Sequence, residues 1–74
     1  MPYILTSIAR IKIGKKIKQI RKQKKLSQVE VAVDAGINPS YYSKIERGEV
    51  NPSLKIFYSI AKSLGVKSSD ILSF

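Results

Sequence analysis

The 74 residues suffice for one domain and not for two. With 43% hydrophobic residues, no cysteine and no histidine, the composition supports a packed core. It excludes disulfides, thiolate or imidazole metal sites and any nucleophile–histidine catalytic set.

The net charge of +9 is unevenly placed. Arg10, Lys12, Lys15, Lys16, Lys18, Arg21, Lys22, Lys24 and Lys25 precede every acidic residue, and the remainder of the chain is neutral. Such a stripe is either a steering surface for a polyanion or a solvated helix face. No apolar run approaches the roughly 20 residues of a membrane-spanning helix. No basic head precedes an apolar block at the N-terminus, so no secretory signal is expected.

Residues 1–12 read two ways. Ile11-Lys12-Ile13 alternates like a strand, Leu5 and Ile8 fit a helical extension, and Gly14 can mark the break between them. Ile13, Ile17 and Ile20 predict an amphipathic first helix over 13–24 with lysines on its open face. Lys25 stands where a terminating glycine would be convenient. The helix ends either without a left-handed residue or with Lys25 in that conformation, at about 1 kcal/mol.

Ser27-Gln28-Val29-Glu30 is a capping box that opens a second helix, stopped near Ala35 by Gly36. Asn38-Pro39 opens a third, running to about Arg47 with Tyr42 and Ile45 inward, and Gly48 stops it. Asn51-Pro52-Ser53 opens a fourth, expected to bury Leu54, Phe57, Ile60, Ala61 and Leu64 before Gly65. Ser68 or Ser69 is expected to cap a short fifth helix holding Asp70, Ile71 and Leu72. The fold class expected is all-α, with five helices in one domain.

Ser27 to Gly48 is the informative unit. Two capped helices separated by a turn of about three residues have helix-turn-helix spacing, in which the second helix enters the major groove. Val31, Ala32, Ile37, Tyr42 and Ile45 form the inward set that fixes the angle between them.

The run Leu26-Ser27-Gln28, Ala35-Gly36-Ile37, Tyr41 to Gly48 and Asn51-Pro52-Ser53-Leu54 resembles the xenobiotic-response-element family. That family includes the lambda-type repressors, the Cro proteins and the small controller proteins of restriction–modification systems. The resemblance covers about two-thirds of the chain. It implies a five-helix lambda-repressor-like domain over residues 1–74, with 1–12 as an extension and 27–48 as the core, that binds operator DNA as a dimer.

Residue by residue, the resemblance implies that Gln28 clamps a phosphate and steadies the third helix. Asn38, Pro39, Ser40, Tyr41 and Lys44 match the variable outward face of the recognition helix. Ser40 and Lys44 share a face, and a lysine donates well to guanine O6 and N7. Pro39 has no side-chain donor, so readout there is apolar or absent. Ser43, Arg47 and Asn51 match backbone anchors beside the groove. Arg21 and Glu46 match a pair that ties the first helix to the end of the third, expected as a partly buried salt bridge.

A homodimer is expected through Ile71, Leu72, Phe74 and neighbouring apolar residues of the fourth helix. Val29 and Val33 stand where relatives carry polar residues. They are either a pad for the N-terminal extension or neutral surface.

The function expected is a sequence-specific regulator on a palindromic operator, cytoplasmic and nucleoid-associated. No metal, cofactor, small-molecule ligand or membrane partner is expected, and no catalysis. The alternative is an antitoxin or protein-partner module on the same fold. A basic membrane-surface helix over residues 1–25 would leave the motif from Ser27 to Gly48 unexplained.

Overall fold

Ile13, Ile17 and Ile20 do line one face of a helix, but that helix begins well before them. In the computed structural model, which describes residues 7–73, α1 runs Ser7–Gln23 without a break. It is followed by α2 (Gln28–Ala35), α3 (Pro39–Glu46), α4 (Leu54–Leu64) and α5 (Ser68–Leu72). The architecture is all-α, with no strand among the described residues. None of these helices is long and apolar enough to cross a membrane.

Gly14 does not end a segment. It lies buried inside α1, because α1 crosses the end of α3 at close range. A Cβ on Gly14 would stand 2.6 Å from the carbonyl oxygen of Ile45 and nearer still to that of Glu46. The helical reading of residues 7–12 therefore prevails over the strand reading. This first part of α1 lies over the α3–α4 connection, with Ile11 against Gly48. Val29 and Val33 remain exposed on α2.

The caps are local and mostly as expected. Ser27 Oγ accepts from the Glu30 amide at 3.0 Å, and the Ser27 amide donates to Glu30 Oε1 at 2.7 Å. Asn38 Oδ1 accepts from the amides of Ser40 and Tyr41 at 2.8 and 3.3 Å. Ser53 Oγ accepts from Ile56 at 3.1 Å. The fifth helix departs from expectation: its cap residue is Lys67, whose amide donates to the Asp70 carboxylate at 2.9 Å. The carboxylate three residues into the helix takes the cap amide, and the Asp70 amide turns back to the Lys67 carbonyl at 2.9 Å. Lys25 takes the left-handed conformation at φ 58°.

The core joins all five helices. Ile17, Val31, Tyr42, Ile45, Ile60, Leu64 and Ile71 are almost wholly buried. Each such aliphatic side chain contributes about 1.5–3 kcal/mol by leaving water. The α1 helix packs on α3 and α5, α2 packs on α3 and α4, and α4 packs on α5.

Ile71, expected at a subunit interface, is instead 0% exposed. A five-residue helix cannot hold itself together, so Ile71 is what fastens α5 to the core. Leu54, expected in the core, is 83% exposed. Its spacing from Phe57 is that of a buried face, but it is the first residue of α4. There the face overhangs a groove lined by Ile13, Pro52, Leu54, Phe57 and Leu72.

The Gly14 crossing makes a contrast measurable by urea unfolding. Gly14→Ala gains about 1 kcal/mol in helix propensity, yet a net loss of about 2–3 kcal/mol is expected from overpacking against backbone that cannot yield. Gly36→Ala, with nothing within 4 Å of its Cβ, is expected to lose only about 1 kcal/mol, from its positive φ. Equal losses at the two sites would contradict the close crossing.

Candidate nucleic-acid interface

An eight-residue helix has two faces to account for, and those of α3 differ sharply. Tyr42, Ile45 and Glu46 are buried on the inner face. Asn38, Pro39, Ser40 and Lys44 are exposed on the outer one, with Tyr41 and Ser43 half-buried at its edges.

The inner face is held by an ion pair inside a larger network. Arg21 Nε donates to Glu46 Oε2 at 2.7 Å and Arg21 Nη2 to Oε1 at 3.2 Å. The remaining Nη1 donates to the Leu26 carbonyl at 2.8 Å. Tyr42 Oη donates to Glu46 Oε2 at 2.6 Å, and Gln28 Nε2 to Oε1 at 2.9 Å. One carboxylate thus gathers α1, α2 and α3.

The expected Arg21–Glu46 pairing is present. Gln28, expected to steady the third helix, joins it through Glu46, and Tyr42 is an addition. Tyr42 lies one turn before Glu46, a spacing that could have revealed it. Gln28 has no short-range relation to Glu46, and no sequence spacing points to it.

The electrostatics follow from this geometry. Burial is the largest single influence on Glu46 and opposes ionisation. The donors Arg21, Tyr42 and Gln28 together outweigh it and hold the carboxyl below its ordinary range. Burial, and then the neighbouring carboxylate, push the Tyr42 phenol far above its ordinary range, so it remains a donor. The hydrogen bond to Glu46 raises Arg21 further. No buried side-chain nitrogen or oxygen among the described residues lacks a partner.

The rim is less tightly held. Arg47 Nη1 donates to Ser43 Oγ at 2.6 Å. Its Nε and Nη2 fork onto the Glu49 carboxylate at 2.7 and 3.3 Å. The expected anchor Arg47 is therefore already paired, with a partner that sequence reasoning missed. Both members are exposed, and a pair in water is weak and exchangeable. Asn51 is exposed in the α3–α4 connection. Arg10, also missed, donates from Nε to the Gly48 carbonyl at 3.3 Å and so braces that connection. Of the residues expected to join subunits, Leu72 is 47% exposed and lines the apolar groove. Phe74 lies outside the described residues.

The helix-turn-helix family profile matches residues 17–71. The immunity repressor protein of Bacillus phage phi105 is 43% identical over 60 residues, which make up 81% of this chain and 42% of the repressor. Control protein C.BamHI of Bacillus amyloliquefaciens is 39% identical over 71 residues, 95% of this chain and 88% of that protein. The chain thus spans less than half of one relative and most of the other. A solved structure of the master regulator for biofilm formation SinR in complex with DNA is 41% identical, with a TM-score of 0.76, covering 81% of this chain and 97% of that one.

The lowered Glu46 carboxyl sets a pH dependence. Its contribution is complete above the ordinary glutamate value of 4.5 and is lost as pH falls from there through the lower folded value. At neutral pH, Glu46→Ala strands the buried Arg21 and is expected to cost about 3–5 kcal/mol. Denaturant titrations at descending pH should show the gap between wild type and Glu46→Ala closing once the medium is more acidic than that ordinary value. A gap that stays constant to acid pH would mean that the carboxylate is not held in its charged form.

Proposed function

The chain belongs to the helix-turn-helix family of DNA-binding transcriptional regulators, and from that premise we propose that it binds a palindromic operator as a homodimer. One α3 helix enters the major groove of each half-site. The observation that carries this reading is the division of α3: an inner face locked through Glu46, and an outer face left open.

The roles follow from chemistry. Lys44, exposed in the last turn of α3, donates to guanine O6 or N7. Ser40 is one turn away on the same face and reads the adjacent pair. Tyr41 offers ring area to a thymine methyl. Asn38 Oδ1 is occupied by capping, so only its amide nitrogen is left to donate to DNA. Pro39 supplies apolar surface alone.

Gln28 Nε2 carries two hydrogens. One meets Glu46 and the other is available to a phosphate. Ser43, Arg47 and Asn51 anchor the strand beside the groove, with a phosphate replacing Glu49 as the partner of the Arg47 fork.

The subunit contact is the apolar groove of about 250 Å³ between α1, the first turn of α4 and α5. Exposed Leu54 stands at its edge as a knob, and a two-fold axis seats each knob in the other subunit's groove. The two recognition helices then meet half-sites one DNA turn, roughly 34 Å, apart.

Two measurements test the reading. With duplexes obtained by selection from random DNA, Lys44→Ala is expected to lose about 1–3 kcal/mol on the selected sequence and much less on others. An equal loss on every sequence would demote Lys44 to a phosphate contact. In sedimentation, the wild type is expected to be a dimer. Leu54→Asp is expected to be a folded monomer whose urea stability, unlike that of the wild type, does not rise with protein concentration, because an 83% exposed residue adds little to its own subunit. A wild type that stays monomeric even with DNA present would sink the dimer.

A further inference from the structure

The first four helices close in the same way. The amide beyond each helix turns back to a carbonyl inside it, and the next amide reaches one residue deeper. After α2 the bonds are Gly36 to Val33 at 3.1 Å and Ile37 to Ala32 at 2.8 Å. After α3 they are Gly48 to Ile45 and Glu49 to Lys44, both 3.0 Å. After α4 they are Gly65 to Lys62 and Val66 to Ala61, both 3.0 Å. After α1 they are Lys25 to Lys22 at 3.0 Å and Leu26 to Arg21 at 3.1 Å.

The pivot is left-handed each time. At three closures it is glycine, with φ of 73°, 74° and 71°; at the fourth it is a lysine with φ of 58°. A Cβ in that region collides with the following carbonyl, which glycine avoids. The turn itself uses only backbone atoms, and glycine would supply them equally. The Lys25 side chain is exposed, and no ion pair or hydrogen bond of its ammonium is found among the described residues. Among the described residues, therefore, nothing returns that strain.

Its position says where the return lies. Lys25 stands two residues beyond the end of α1 and four beyond Arg21, the residue that meets Glu46 on α3. The neighbouring Lys24 instead reaches the end of α4, its Nζ 4.0 Å from where a Cβ on Gly65 would lie. The next carbonyl after Lys25, that of Leu26, is held by the same guanidinium that holds Glu46. Gln28, three residues on, holds Glu46 as well. Lys25 is thus fixed to the frame that aims the recognition helix.

We infer that Lys25 is a DNA-backbone contact: its ammonium meets a phosphate neighbouring the one at Gln28, and the left-handed lysine is kept for that charge. The inference rests on the DNA-binding reading above. The contact is a point charge on a phosphate, so it carries affinity and no sequence preference.

The test uses the full chain, a random-sequence duplex and the selected duplex, with fluorescence anisotropy across a salt series and parallel thermal melting. Lys25→Gly is expected to weaken both duplexes by the same factor, about three- to tenfold, and to flatten the slope of log affinity against log salt by about 0.9. It is also expected to melt about 4 °C higher, because the strain is relieved. Lys25→Gln keeps the strain and loses the charge, so its binding falls without the rise in melting temperature.

If Lys25→Gly binds as wild type does, with the wild-type salt slope, the inference is overturned while the DNA-binding reading stands. A lower melting temperature for Lys25→Gly overturns it too, since the turn would then need the lysine for folding. A wild type that binds neither duplex removes the reading on which the inference rests.

Discussion

The carboxylate of Glu46 is where the molecule is tied together. It sits 5% exposed at the meeting of α1, α2 and α3 and takes donors from Arg21, Tyr42 and Gln28. A buried ion pair adds little stability over a well-packed apolar cluster. A fully satisfied polar network does something else: it admits one arrangement, since any rotation of α3 leaves a charge or a phenol unpaired in low dielectric. An eight-residue helix is marginal alone. For a helix whose other face stays open, the network sets orientation more than it adds the last kilocalorie.

The same logic explains why α1 is both the most basic element and a core helix. Its inner face delivers Ile13, Ile17 and Ile20 to the core and Arg21 to Glu46. Gly14 lets its backbone lie against the last turn of α3. Its outer face holds the lysines that carry the positive charge of the chain. Core packing on one side thereby leaves the charge on the other. The excess positive charge and the bonds that orient α3 share one element.

Local chemistry was legible in the sequence. The capping box at Ser27, the Asn38-Pro39 start, the glycine closures and the inward Tyr42 and Ile45 depend on neighbours within a turn, so spacing reveals them. The Arg21–Glu46 pair was reached through resemblance, not spacing. What stayed hidden depends on where helices cross and end. Gly14 resembles a break until the carbonyls of Ile45 and Glu46 are placed against it. Leu54 has a buried spacing but no neighbour, because it opens its helix. Ile71 resembles a free apolar end until α5 folds back onto α1 and α4. Arg47 resembles a free anchor until the chain turns Glu49 toward it. No periodicity within a single helix encodes any of these.

The central claim is that the Glu46 frame turns the outer face of α3 toward DNA. Amide chemical shifts followed while a selected operator duplex is added to the labelled chain test it most directly. Perturbations should concentrate on residues 38–44 and on Gln28, and the side-chain signals of the Arg21–Glu46–Tyr42 network should persist in the complex. Perturbations confined to the groove around Leu54 and Leu72, with the outer face of α3 unmoved, would contradict the account.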